Sequence, residues 1–132
     1  MSNFSKVSEE KLSTCHPDLQ RLFHEVVKQY DCIILCGHRN EADQNKAFSS
    51  GASKLKWPHS KHNSTPSLAV DVAPFPLDWH DAPRFYHFIG FVFATANFLN
   101  IKIRSGADWN GNLKFSDERL LDLPHFELME GA

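Results

Sequence analysis

Two segments of the chain carry apolar residues at the three- and four-residue spacing of an amphipathic helix. The first covers residues 16–30, has Pro17 in its first turn, and places on one face Leu19, Leu22, Phe23, Val26 and Val27. The second starts at Asp81 and Pro83, and its apolar face is formed by Phe85, Phe88, Ile89, Val92, Ala96 and Leu99. Both stripes predict helices that pack against a core.

Short apolar runs predict strands, CIILC and LAVDVAP between these two helices and IKIRSG and HFEL after the second one. Two shorter helices are predicted, one over residues 8–14 and one between an Asn40 cap and Gly51. Residues 52–67 are rich in Ser, Lys, His, Asn and Pro and predict a long loop. Helices that precede and interrupt a few short strands imply an α+β domain with a small sheet.

Composition narrows the class of protein. With 132 residues, of which 42% are hydrophobic and 23% charged, the chain suits one globular domain. Its net charge of −2 gives no electrostatic case for nucleic-acid binding. The longest apolar stretch, FYHFIGFVFATANFL, is too short and too polar to span a bilayer, and the N-terminus lacks the apolar region of a signal peptide. We therefore expect synthesis in the cytoplasm and no stable membrane association.

The three cysteines, Cys15, Cys32 and Cys36, are an odd number and do not indicate a disulfide framework. Four residues along a strand separate Cys32 from Cys36 by about 13 Å, which is beyond the reach of a disulfide or of one metal ion. We expect buried free thiols.

The carboxylate of Asp71 lies in the apolar run LAVDVAP, where a charge costs several kcal/mol unless a partner or a bound ion compensates it. His62 precedes this run, and Asp122 precedes His125 by three residues near the C-terminus. Pro124 favours an extended or polyproline path, whose three-residue repeat places Asp122 and His125 on one side.

Strand alternation beyond that point puts His125 and Glu127 on one face, with Phe126 and Leu128 toward the core. Two histidines and one carboxylate form a standard catalytic zinc set, and a carboxylate outside the set can accept a proton from water. Spacing alone leaves another interpretation open, in which Asp71 bonds to backbone or a lysine and the two histidines are unrelated.

Four motifs in order, GHRNEADQ, SKH…AVD, RSGADWNGN and DLPHFEL, resemble the M15 family of zinc peptidases, and most of all its phage endolysin branch of L-alanyl-D-glutamate peptidases. The similarity covers residues 36–128. It implies the hedgehog/D,D-peptidase fold, a small antiparallel sheet flanked by helices, which agrees with the pattern above. It also implies a single zinc peptidase catalytic domain over residues 1–132.

The resemblance implies that Zn²⁺ is held by His62, Asp71 and His125, with Asp122 as general base. Glu127 is a rival for the role of base because it shares a strand face with His125. One departure concerns the segment between the first histidine and the aspartate. Eight residues, NSTPSLAV, stand where six are common in the family. A loop absorbs such an insertion easily, so we expect zinc binding to survive it.

The resemblance also implies that Arg39 binds the carbonyl oxygen as negative charge develops there, which suits the fixed planar donors of arginine. A surface ion pair with Glu41 or Asp43 is the alternative for Arg39. Ser60 and Gln44 match polar positions of the family. We expect Ser60 to contact substrate or the residues that hold the metal, and Gln44 to contact substrate.

The implied function is hydrolysis of the L-Ala–D-Glu bond in peptidoglycan stem peptides, by a monomer that lyses the host once its membrane is permeabilised. One alternative is a D,D-carboxypeptidase or D-Ala-D-Ala dipeptidase. Another, of a different class, is a non-catalytic cell-wall-binding or structural module. A purely structural zinc domain is disfavoured, because it normally uses four Cys/His ligands and no suitably spaced cysteine is present.

Overall fold

The computed structural model describes residues 2–108 and 122–129. Four strands in this part form one antiparallel sheet in the order β1-β2-β4-β3. The predicted α+β fold, with a small antiparallel sheet flanked by helices, is confirmed. In chain order the elements are α1 (Lys6–Leu12), α2 (Pro17–Gln29), β1 (Cys32–Cys36), α3 (Glu41–Ser49), a 3₁₀ turn (Lys61–Asn63), β2 (Ala69–Pro74), α4 (Ala82–Phe98), β3 (Ile103–Gly106) and β4 (Asp122–Leu128).

Side-chain caps fix the starts of the helices. Asn40 Oδ1 accepts the backbone N–H of Asp43 at 2.9 Å and begins α3, as predicted, and Asp81 caps α4 in the same way. The first helix begins two residues earlier than predicted, because Ser5 Oγ accepts the N–H of Ser8.

The core lies between one face of the sheet and helices α2 and α4. Phe126 of β4 is fully buried, and its ring contacts Phe23 of α2 and Phe88 of α4 at centroid distances of 5.4 and 6.2 Å. Val70 and Val72 of β2 belong to the same cluster. The apolar stripes of the two helices thus pack against a core, as the sequence predicts, and the sheet supplies the other side of that core.

Two irregularities change which way strand residues face. Ile34 of β1 pairs with Val72, but Cys36 pairs with Asp71, so the strand bulges between them. A bulge adds one residue to one strand and turns the following side chain to the other face of the sheet. Cys36 therefore lies on the face opposite the core, where Asp71 also lies.

The second irregularity lengthens the last strand. Ser105 pairs with Phe126 while the next residue, Gly106, pairs with Asp122. Strand β4 consequently begins at Asp122 rather than at His125, where the pattern placed its start.

All three cysteines are free, Cys15 and Cys32 being buried and Cys36 half-buried. Within residues 2–108 and 122–129, the helices are all too short or too polar to cross a membrane.

We expect Phe126→Ala to lower the free energy of unfolding by about 3–5 kcal/mol, because it empties the centre of the aromatic cluster. Phe98→Ala is the matched control, since Phe98 is 88% exposed at the end of α4 and should change stability by no more than about 0.5 kcal/mol. Urea denaturation measures both. Equal losses would contradict the proposed position of the core.

Candidate active site

Asp71 lies at the centre of the site. It pairs with Cys36 of β1 on one side and with His125 of β4 on the other, so three chemically active side chains form a row across the sheet. Asp71 Oδ1 lies 3.3 Å from His125 Nδ1 and 3.3 Å from Nε2 of His62. Burial alone would raise the pKa of Asp71, but the contacts with His125 and His62 outweigh it and hold the pKa well below its usual range.

His62 reaches this row from the 3₁₀ turn that precedes β2. Its Nδ1 donates to the carbonyl oxygen of Gly37 at 2.8 Å, so Nε2 is the nitrogen that faces Asp71, and in the neutral ring Nε2 carries the lone pair. Burial would lower the pKa of His62, but its contacts with Asp71 and Cys36 raise it to about 10. The longer segment between His62 and Asp71 therefore does not separate the two side chains.

The polar atoms at this point fit a metal ion. Within the described part of the chain, neither His62 Nε2 nor Asp71 Oδ1 has a hydrogen-bond partner, although both are buried. Ligand atoms about 2.0–2.1 Å from a tetrahedral zinc ion lie about 3.3–3.4 Å apart, which matches both 3.3 Å distances to Asp71 Oδ1. Asp71 also belongs to two groups of side chains close enough to share an ion, one with Cys36 and His62 and one with Asp122 and His125. Among the described residues, each histidine thus lies close to Asp71, but the two histidines belong to different groups.

The far nitrogen of His125 is held by a second carboxylate. His125 Nε2 donates to Glu127 Oε1 at 2.8 Å, and Glu127 also contacts Arg104 and Lys61. Burial alone would raise the pKa of Glu127, but the hydrogen bonds from these groups lower it to about 2. Glu127 thus stays ionised on the side of the His125 ring that faces away from Asp71.

Asp122 lies at the open edge of the site. Its Oδ2 is 4.0 Å from His125 Nδ1, and its side chain is 47% exposed. Burial raises the pKa of Asp122, and the charge of Asp71 adds to the rise. Gly106 permits this position, because a Cβ there would lie 2.2 Å from the carbonyl oxygen of Asp122.

Arg39 points into the site from the segment before α3. Its Nη2 lies 3.7 Å from Asp71 Oδ2, and its Nη1 donates to Gln44 Oε1 at 3.1 Å. The side chain of Arg39 is only 17% exposed and its guanidinium contacts Asp71 and Gln44, so the alternative of a surface ion pair with Glu41 or Asp43 is wrong.

Comparison with known proteins identifies the family of this chain. The sequence model of the phage L-alanyl-D-glutamate peptidases matches residues 1–129. The chain belongs to this family. An L-alanyl-D-glutamate peptidase of Escherichia phage T5 is 34% identical in an alignment 120 residues long, which covers 87% of each chain. The crystal structure of the Serratia marcescens L-Ala D-Glu endopeptidase ChiX is similar with a TM-score of 0.74 and 26% identity, over 97% of this chain and 91% of that one.

The family resemblance predicts that Gln44 contacts substrate and that Ser60 contacts either substrate or the residues around the metal. In the structure both side chains bond to other parts of the protein. Gln44 is fully buried and bonds Arg39, Asn63 and the carbonyl oxygen of Leu55. Ser60 is 8% exposed, and its Oγ accepts a hydrogen bond from the backbone N–H of His62, which is one of the ligand candidates. A direct substrate contact by Gln44 does not fit this burial, because its amide is occupied in holding Arg39.

Two residues of the site are absent from the sequence prediction. Asn63 bonds both the carbonyl oxygen of Arg39 and Gln44 Oε1, and thereby joins the 3₁₀ turn to the arginine. Cys36 lies 3.7 Å from Arg39 Nη2 and 4.0 Å from His62 Nδ1. Its position in the sequence, directly before the GHR motif, indicates that Cys36 lies near the site. The face of the sheet on which it lies depends on the bulge in β1, which the residue types do not predict.

The motif RSGADWNGN is only partly described. Its first residues form β3, and Asp108 is buried next to it. Residues 109–112, which complete the motif, lie outside the described residues.

We expect Gln44→Leu to lower the free energy of unfolding by at least about 1–3 kcal/mol, because it leaves buried polar groups of Arg39 and Asn63 without a partner. Gln29→Leu is the control, since Gln29 is exposed in the last turn of α2. Thermal and urea denaturation measure both variants. A Gln44→Leu protein as stable as the control would show that this network does not hold the site together.

Proposed function

We propose that the chain is a zinc-dependent peptidase that hydrolyses the L-alanyl–D-glutamate bond of peptidoglycan stem peptides. The observation that carries the proposal is the Asp71 carboxylate, which is only 14% exposed and lies 3.3 Å from a nitrogen of each of two histidines, beside Arg39 and Asp122. The phage T5 relative and the Serratia neighbour are both named for this bond.

The ligands that would hold zinc are His62 through Nε2, Asp71 through a carboxylate oxygen, and His125 through Nδ1. Three protein ligands leave a further position for water or substrate, as catalytic zinc sites do and structural sites do not. When bound, zinc polarises a carbonyl group and lowers the pKa of water to about 7.

Asp122 is the proposed general base. It lies at the edge of the ligand set, it is half exposed, and its raised pKa brings it nearer to that of the water it must deprotonate. As the water oxygen bonds to the carbonyl carbon of L-alanine, Asp122 accepts its proton. It then returns the proton to the amino nitrogen of D-glutamate as the C–N bond breaks.

Arg39 is the proposed stabiliser of the negative charge that develops on the carbonyl oxygen. Its guanidinium is fixed before substrate arrives, because Gln44 holds Nη1 and Asp71 attracts Nη2. Donors that are already oriented need no rearrangement during the reaction, which is why they favour the transition state.

Each of the two alternative functions differs from the proposed peptidase in one respect. A D,D-carboxypeptidase or dipeptidase would use the same ligands but release D-alanine. A non-catalytic wall-binding module would have no use for the general base or for the orienting of Arg39, and both residues are present here. Since the proposed substrate is bacterial cell wall, we place the action of the protein there, with lysis of the host cell as the result.

We expect the protein to bind about one zinc ion per chain and His62→Ala to abolish that binding, because Asp71 and His125 alone make a weak site. His59→Ala should bind zinc as the wild type does, since His59 is an exposed residue of the loop before the 3₁₀ turn. Metal analysis after dialysis measures both. Full occupancy in His62→Ala would remove His62 from the ligand set.

We expect Asp122→Asn to retain zinc while turnover falls about 10²–10⁴-fold, the usual contribution of a positioned acid–base group. Asp43→Asn, in the exposed first turn of α3, is the control and should keep wild-type turnover. Digestion of purified muropeptides, followed by mass spectrometry, gives both the rate and the bond cleaved. Release of D-alanine instead of a peptide beginning with D-glutamate would contradict the proposed specificity, and normal turnover of Asp122→Asn would contradict the proposed base.

A further inference from the structure

Glu127 is a buried charged residue that the proposed reaction does not use. It is 5% exposed and follows His125 by two positions on β4, so both side chains lie on the same face of the sheet. Its Oε1 accepts from His125 Nε2 at 2.8 Å, and its Oε2 accepts from Arg104 Nη2 at 2.7 Å. Lys61 Nζ lies 3.1 Å from the same Oε2. Three donors therefore surround one carboxylate.

The contact with His125 determines which ring nitrogen carries a proton. An ionised carboxylate can only accept, so the proton of a neutral His125 must lie on Nε2. Nδ1 then keeps its lone pair, and this is the nitrogen 3.3 Å from Asp71 Oδ1. A metal ion binds only the unprotonated nitrogen, and a carboxylate behind a histidine ligand fixes both its tautomer and its orientation.

Glu127 also connects the two segments that carry the histidines. Lys61 immediately precedes His62 in the 3₁₀ turn, and its Nζ donates to the carbonyl oxygen of Leu128 at 2.6 Å in addition to its contact with Glu127. One carboxylate on β4 thus holds the ring of His125 directly and the backbone next to His62 through Lys61.

We propose that Glu127 is a positioning residue of the metal centre, which presents Nδ1 of His125 to the ion and anchors the turn that carries His62. The inference rests on the zinc centre proposed above. It also removes Glu127 as a rival general base, because both of its oxygens are occupied and Oε1 lies against the ring nitrogen that faces away from Asp71.

The test compares Glu127→Gln with Glu25→Gln, a control on the exposed surface of α2 where Glu25 pairs with Lys28. Glutamine keeps the shape of the side chain but removes its charge and turns an N–H group toward Lys61 or Arg104. Competition with a chromophoric chelator measures zinc affinity. We expect Glu127→Gln to bind zinc about 10- to 100-fold more weakly, the usual effect of losing such a partner, and Glu25→Gln to match the wild type.

Turnover at saturating zinc separates positioning from chemistry. We expect most of the activity of Glu127→Gln to return as zinc is raised, because the reacting groups are unchanged. Long-range ¹H–¹⁵N spectra of the zinc-loaded wild type give a second readout, and there we expect the His125 proton on Nε2. If Glu127→Gln does not fold, Glu127→Asp replaces it, since the shorter side chain keeps the charge but withdraws it from His125 and should also weaken zinc binding.

Unchanged zinc affinity of Glu127→Gln overturns the inference. The same holds if the substitution lowers the stability of the metal-free chain but leaves zinc affinity unchanged. A His125 proton on Nδ1, or a variant that binds zinc normally and stays inactive at saturation, overturns it as well. A wild-type chain that binds no zinc would instead overturn the proposed zinc centre itself, and the two failures are therefore distinguishable.

Discussion

The negative charge of Asp71 in the middle of a sheet is the constraint on which the site depends. Removing a carboxylate from water costs several kcal/mol unless positive charge and hydrogen-bond donors replace the water. Here the surroundings are two histidines and one arginine, each reached from a different segment of the chain. The requirement to compensate one buried charge therefore brings the loop before β2, the segment before α3 and the last strand to one point.

The two bulges of the sheet explain how a small fold separates its core from its chemistry. In regular pairing Cys36 would face the core with Ile34, and the bulge in β1 turns it toward Asp71 instead. The irregular pairing at Gly106 lets the last strand begin early and brings Asp122 beside His125. Phe126 remains on the opposite face in the aromatic cluster, so the strand that carries a ligand candidate also anchors the core.

The sequence predicts most of this fold because its signals are local. Helical periodicity and the Asn40 and Asp81 caps give the helices, and apolar runs give the strands. The site is only partly accessible in this way. The order of the motifs predicts two histidines, Asp71, Asp122 and Arg39 as residues of the site. The burial of Gln44 and the contact of Cys36 with the site follow instead from strand register and loop packing. Those are set by long-range contacts that no short spacing encodes.

The most direct test of the central claim is X-ray absorption spectroscopy at the zinc edge on the zinc-loaded wild-type protein. We predict two imidazole nitrogens and oxygen ligands at about 2.0–2.2 Å, supplied by His62, His125, Asp71 and water. A sulfur ligand at about 2.3 Å would mean that Cys36 binds the ion, and a single imidazole would mean that one histidine does not. Either result would contradict a centre built on Asp71 and the two histidines.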